Sequence, residues 1–134
     1  MIVADANLIT AYCVNTSATG LAKAVFAKDR IWISPKLWQA EFVSALLKHR
    51  RRREFDDEAL ATSINLARSL MRDFDFDSDI RTTVEIAERT QCSPYDSCYI
   101  ALAELKRVKL VTIDGGILEN AKHVAVSPEQ FLAA

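Results

Sequence analysis

Four carboxylates occupy positions where a carboxylate is out of place. Asp5 closes the apolar run Met1-Ile2-Val3-Ala4, and Asp114 closes Leu110-Val111-Thr112-Ile113 just before Gly115-Gly116. At roughly 100° per residue, a helix through Leu37, Trp38, Glu41, Phe42, Ala45 and Leu46 puts all six on one broad arc, with Glu41 inside the apolar stripe. Asp96 aligns with Ile100 and Ala103 on the apolar face of the run that follows it. Each residue taken singly has a structural explanation. Asp5 could cap a helix, Glu41 could enter a buried ion pair, Asp96 could favour a first helical turn, and Asp114 could make an Asp-Gly turn. Burying an unpaired charge is costly, so Glu41 calls for a cationic partner or a metal. Together the four acids are the oxygen donors that hard divalent cations such as Mg²⁺ or Mn²⁺ take. A carboxylate cluster without His or Cys is the composition of a metal site that cleaves phosphodiesters.

The rest of the composition narrows the setting. The chain has 134 residues, half of them hydrophobic and 26% charged, which suits one globular domain with a core of its own. Cys13, Cys92 and Cys98 are odd in number and form no Cys-x-x-Cys pair, so they read as reduced thiols of a cytoplasmic protein. His49 and His123 lack the spacing of zinc ligands. Neither a transmembrane run nor a signal peptide is legible. The net charge of −1 gives no overall attraction for nucleic acid. The charge is uneven, however. Lys48, Arg50, Arg51, Arg52 and Arg53 place five of the 17 basic residues in one stretch. The stretch suits a solvated helix end, where cations complement the dipole, and equally a contact to RNA phosphates. It begins about two turns beyond Glu41 on the same predicted helix, at about 1.5 Å per residue.

Elements that would position these residues alternate along the chain. Short apolar runs at residues 1–4, 31–34, 110–113 and 124–126 read as strands, and Phe74 and Phe76, between aspartates, read as a half-exposed edge strand. Asp73, Asp75, Asp77 and Asp79 imitate a calcium loop, but the Gly and Glu such a loop requires are missing; they are expected to face solvent. Helices are predicted from a Ser17 cap to Lys28, and over residues 35–53, 56–71, 78–91 and 94–107. Ser34-Pro35 and Ser93-Pro94 each read as a cap followed by proline at the first helical position. Alternating strands and helices imply a mostly parallel sheet covered on both faces. In such a sheet the site lies beyond the carboxyl ends of the strands, near a switch in strand order. Trp38, Phe42, Tyr95 and Tyr99 could stack on bases or fill the core. Tyr95, beside Asp96, is the strongest stacking candidate.

The segments Val3-Ala4-Asp5-Ala6-Asn7, Trp38-Gln39-Ala40-Glu41, Tyr95-Asp96-Ser97-Cys98-Tyr99-Ile100-Ala101-Leu102-Ala103-Glu104 and Leu110-Val111-Thr112-Ile113-Asp114 together resemble the PIN-domain family. Within it the chain is similar to VapC-like toxin ribonucleases of type II toxin–antitoxin pairs. The resemblance implies a three-layer α/β/α sandwich around a mostly parallel five-stranded sheet, with residues 1–134 forming a single PIN domain. It implies a Mg²⁺- or Mn²⁺-dependent endoribonuclease site in which Asp5, Glu41, Asp96 and Asp114 are catalytic and hold the metal, with Asn7 and Thr112 orienting the acids. It further implies hydrolysis leaving a 5′-phosphate and a 3′-hydroxyl, a homodimer, and a small antitoxin that plugs the site. Gly115 and Gly116 stand where many relatives carry a larger or basic residue, and Glu119 is a candidate fifth acid. Two alternatives stay open. One is a phosphotransfer domain of receiver or haloacid-dehalogenase type, although Asn7 stands where the latter has a second Asp and no late strand-end Lys suits the former. The other is a catalytically silent PIN-like module that binds RNA or protein, against which the four intact acids speak.

Overall fold

The alternation of apolar residues along the short strands decides how the layers assemble. In the computed structural model, which describes residues 1–53 and 55–134, the chain runs β1 (Ile2–Ala4), α1 (Ala6–Cys13), α2 (Thr19–Lys28), β2 (Trp32–Pro35), α3 (Trp38–Arg51), α4 (Asp57–Met71) and β3 (Asp75–Phe76). It continues through α5 (Ile80–Thr90), α6 (Pro94–Lys106), β4 (Leu110–Val111), α7 (Gly115–Asn120), β5 (Ala125–Val126) and α8 (Pro128–Ala133). The strands form a five-stranded sheet in the order β3-β2-β1-β4-β5, and every pairing is parallel. Successive residues feed opposite cores. Ile2, Ala4, Trp32 and Val111 pack with α1, α3 and α4 on one face. Val3, Ile33 and Leu110 pack with Ile86, Tyr99, Ile100 and Ile117 of α5, α6 and α7 on the other. Strands buried on both faces are what a parallel sheet requires, and the expected three-layer sandwich is the observed architecture. Among the described residues no helix is long and apolar enough to cross a membrane.

The strand order matters for function. From β1 the chain steps outward through β2 to β3, then returns across the sheet to β4 on the other side of β1. The crevice at the carboxyl ends of β1 and β4 is therefore the switch point where α/β sheets bind ligands.

Several local expectations require correction. Ser34 and Pro35 do not begin a helix, since both lie in β2 and α3 starts at Trp38. Ser34 and Lys36 donate their N–H groups to Phe74 and Phe76 on the β3 side, so the N–H that proline lacks would have faced β1. The Ser34 hydroxyl supplies the missing donor, reaching the Ala4 carbonyl at 3.0 Å. Ser17 is not a cap either, because α2 begins after Ala18 with no side-chain cap bond. Ser93 does cap α6, accepting the Asp96 N–H, with Pro94 in the first turn. The aspartates around the β3 edge strand are not all turned to solvent. Asp75 accepts from Trp38 Nε1 at 3.2 Å and Gln39 Nε2 at 3.1 Å. Asp77, paired with Lys36, and Asp79, the cap of α5, are exposed as expected.

Candidate metal-binding active site

All four acids stand at or within the first turns of helices whose starts gather beside the switch point. β1 ends at Ala4, and Asp5 caps α1 by accepting the Leu8 N–H on Oδ1 at 2.8 Å. Three residues past the end of β4, Asp114 caps α7 by accepting the Ile117 N–H at 2.9 Å; the expected Asp-Gly turn is thus the first turn of a helix. Asp96 is the third residue of α6, held by the Ser93 cap. Glu41 comes from the first turn of α3, on the margin of its buried face. Trp38, Phe42 and Leu46 are buried, whereas Glu41 and Ala45 are half-buried. A first-turn carboxylate also suits the positive end of a helix dipole, so the fold brings the acids together at positions that partly offset their charge.

Two residues tie the acids to the scaffold. Thr112, fully buried, donates its hydroxyl to Asp5 Oδ2 and accepts the Asp114 N–H at 3.0 Å. One hydroxyl thereby links Asp5, just after β1, to Asp114, just beyond the end of β4. Tyr99, buried in α6 against the sheet, donates its hydroxyl to Glu41 Oε1 at 2.6 Å. The sequence reading treated Tyr99 as a packing or stacking residue and missed this role. The available signal was that a buried tyrosine hydroxyl needs a partner, while Glu41 lay on an apolar arc in need of one.

The acids line a cleft of about 200 Å³ together with Asn7, Ser44, Lys48 and Tyr99. Its electrostatics are those of crowded, partly dry carboxylates. Burial pushes the Asp5 carboxyl from 3.8 up to about 6, against the lowering effect of the Thr112 and Leu8 hydrogen bonds, and the charges of Asp114 and Glu41 push the same way as burial. Burial also raises Glu41, with Asp96 and Asp114 adding to it while the Tyr99 hydrogen bond opposes. Asp96 is raised by burial and then by Asp114. Burial and its bond to Glu41 hold the Tyr99 hydroxyl protonated well above the usual tyrosine range. Among the described residues Lys48 is the one cation on the cleft wall, and none of these carboxylates is lowered by it.

Among the other expected residues, Asn7 is exposed on the cleft wall and Tyr95 is 65% exposed beside Asp96. Trp38 and Phe42 are buried in the core. Within the basic stretch, Lys48 reaches the cleft and Arg50 pairs with Asp57 at 2.6 Å. Arg51, Arg52 and Arg53 are exposed at the end of α3. Glu119 is exposed on α7 and lies outside the cleft lining.

The donor set suits a hard divalent cation: four carboxylates against one lysine, with the proton affinity of Asp5, Glu41 and Asp96 raised. Among the described residues, no three acidic, His or Cys side chains stand together as a ready-made metal cage. That spacing is compatible with Mg²⁺, which keeps several waters and takes only one or two carboxylates directly.

Comparison with known proteins agrees with this geometry. The family model for the PIN domain matches residues 2–123. A search of curated proteins finds no match. The crystal structure of PAE2754 from Pyrobaculum aerophilum is similar in fold, with a TM-score of 0.76 and 20% identity over 98% of this chain and 86% of that one.

Proposed function

The chain belongs to the PIN domain family, whose members are generally nucleases, and from that premise we propose that it is a Mg²⁺- or Mn²⁺-dependent endoribonuclease acting through Asp5, Glu41, Asp96 and Asp114. One observation carries the reading: four carboxylates from four separate segments line one cleft at the switch point of the sheet, and burial raises the proton affinity of Asp5, Glu41 and Asp96.

A divalent cation bound there supplies Lewis acidity toward an RNA phosphate and toward the water that attacks it. The chain's own residues do the rest. Thr112 and the Leu8 N–H fix both oxygens of Asp5. Tyr99 orients Glu41 and keeps its own proton in doing so. Asp96 and Asp114 are held by the first turns of α6 and α7. Lys48 stands on the wall to meet a phosphate, Asn7 to hydrogen-bond it, and Tyr95 to stack on an unpaired base. On this reading, hydrolysis leaves a 5′-phosphate and a 3′-hydroxyl. The chain then acts as the toxin of a VapBC-like pair, a homodimer silenced by an antitoxin that fills the cleft.

The test is incubation of the purified protein with a structured RNA pool in Mg²⁺, Mn²⁺ or EDTA, with the new termini identified. Metal-dependent cuts bearing 5′-phosphates support the reading. A folded protein that leaves every RNA intact in both metals counts against it.

A further inference from the structure

The acids sit at the carboxyl ends of the strands, and the opposite end of the sheet carries charge of the other sign. There a groove of about 430 Å³ lies between the end of α6 and the residues that lead into β4 and β5. Val108 and Val124 give it an apolar lining, and Glu104, Arg107, Lys109 and His123 give it charge. Among the described residues Glu104 is the one acid lining the groove, and its carboxylate is already engaged. Arg89 Nη2 reaches both of its oxygens at 3.0 Å, and His123 Nε2 meets one of them at 2.8 Å. Arg107 and Lys109 are exposed, as is Lys122 next to His123. None of the three side chains has an ion pair or hydrogen bond among the described residues. The groove therefore presents uncompensated positive charge.

The backbone of Arg107 adds an independent observation. Arg107 is the C-cap of α6 and lies in the left-handed region, with φ 57° and ψ 44°. Glycine is favoured there, and a residue with a side chain bears backbone strain. Strain kept at an exposed position points to a use for the side chain. We propose that this groove is a second RNA-binding site, which grips the phosphate backbone of the same RNA whose scissile phosphate lies in the acidic cleft. Charge complementarity selects the occupant. A chain of net charge −1 with four acids in its cleft repels a polyanion at the site of chemistry, so affinity must come from phosphates neutralised elsewhere. Asp96 and Arg107 stand at the two ends of α6, eleven residues and about 16 Å apart along its axis. An RNA held at both ends must continue well past the cut site, which favours long or folded RNA over a short oligonucleotide. The inference rests on the nuclease reading only in taking RNA as the ligand, since gripping phosphates needs neither metal nor cleavage.

The test measures binding of the full chain to the structured RNA pool over a salt series in EDTA, where nothing is cut. Arg107→Gly and Lys109→Gln are each expected to reduce the salt dependence by about one counterion and to weaken binding by roughly threefold or more. Lys23→Gln removes an exposed cation of α2, away from the groove, and is expected to change neither. Arg107→Gly should keep or gain stability in a urea melt, because glycine suits the left-handed cap. Weakened RNA binding in a protein no less stable separates a contact from a structural role. A destabilised Arg107→Gly would assign the side chain to the fold and count against the proposal. Equal losses in Lys23→Gln would reduce the effect to overall charge and overturn it. RNA binding with unaltered salt dependence in both groove variants overturns it too, leaving the groove to an acidic protein and the nuclease reading intact. Reduced salt dependence in a chain that cuts no RNA would do the reverse, sustaining the groove and sinking the nuclease reading.

Discussion

Asp5 meets two opposing demands: it caps α1 and accepts from Thr112, which favour the carboxylate, and it lies in a dry wall among other acids, which favours the acid. Burial wins, and ionisation moves to about 6 from 3.8. In metal-free protein the folded state therefore holds a proton that the unfolded chain has already lost between those values. Stability should fall as pH rises from about 4 to about 6, by about 3 kcal/mol in total, and stay lowered above that window. Asp5→Asn has no proton to lose at this site and should show a smaller fall, the part that Glu41 and Asp96 contribute. Urea melts of both proteins in EDTA across the window check it, and parallel stability curves would count against the account. Thr112 offers a second prediction. Thr112→Val keeps the shape but strips a partner from Asp5 and from the Asp114 N–H, so stability should drop by about 1–3 kcal/mol. It should also raise the Asp5 pKa further and weaken Mn²⁺ binding at neutral pH. Thr112→Ser should restore both. At this scale the acids were legible in the sequence, because a carboxylate on an apolar arc or after an apolar strand violates a local rule. Their tethers were less so. Thr112 came from family resemblance, and Tyr99 resembled any core aromatic because its partner is 58 residues away.

At the scale of elements, what was legible followed from local chemistry. Ser93-Pro94 and Asp56 act as caps because their side chains bond N–H groups three residues on. Ser34-Pro35 carries the same signature and fails, because its backbone is claimed by pairing between β2 and β3, a long-range interaction that no local pattern encodes. Helix α1 was read only as the one Asp5 could cap, and α7 and α8 were not read. At eight, six and six residues they are too short for a 3.6-residue period to declare itself. Capping predicts a separation of effects. Ser93→Ala should lower stability by about 1 kcal/mol and also reduce metal affinity, since it loosens the turn that carries Asp96. Asp56→Ala at the start of α4 should cost about the same stability and leave metal affinity unchanged. Urea melts paired with Mn²⁺ titrations distinguish the two, and equal effects on affinity would contradict the assigned role of α6.

For the molecule as a whole, the net charge of −1 leaves RNA attraction to local features. The end of α3 provides one, though its cations are not equivalent. Lys48 lines the cleft, whereas Arg50 is engaged by Asp57. Lys48→Gln should therefore reduce the salt dependence of RNA binding by about one counterion, and Arg50→Gln should leave it nearly unchanged. Binding measured over a salt series in EDTA reads both, and identical slopes for the two variants would refute the distinction. The strand order was the feature least available from periodicity, since pattern reveals strands and not their neighbours. Yet that order sets Asp5 beside Asp114 and turns scattered acids into one site. The central claim is that this site holds a divalent cation, and calorimetric titration of metal-free protein with Mn²⁺ near pH 6 tests it most directly. The account expects saturable binding with proton release, because carboxyls of raised pKa must ionise to bind. It expects affinity lower by about tenfold or more in Asp5→Asn and Asp96→Asn, with proton release diminished in Asp5→Asn. No saturable binding, or binding unaltered in both variants, would contradict it.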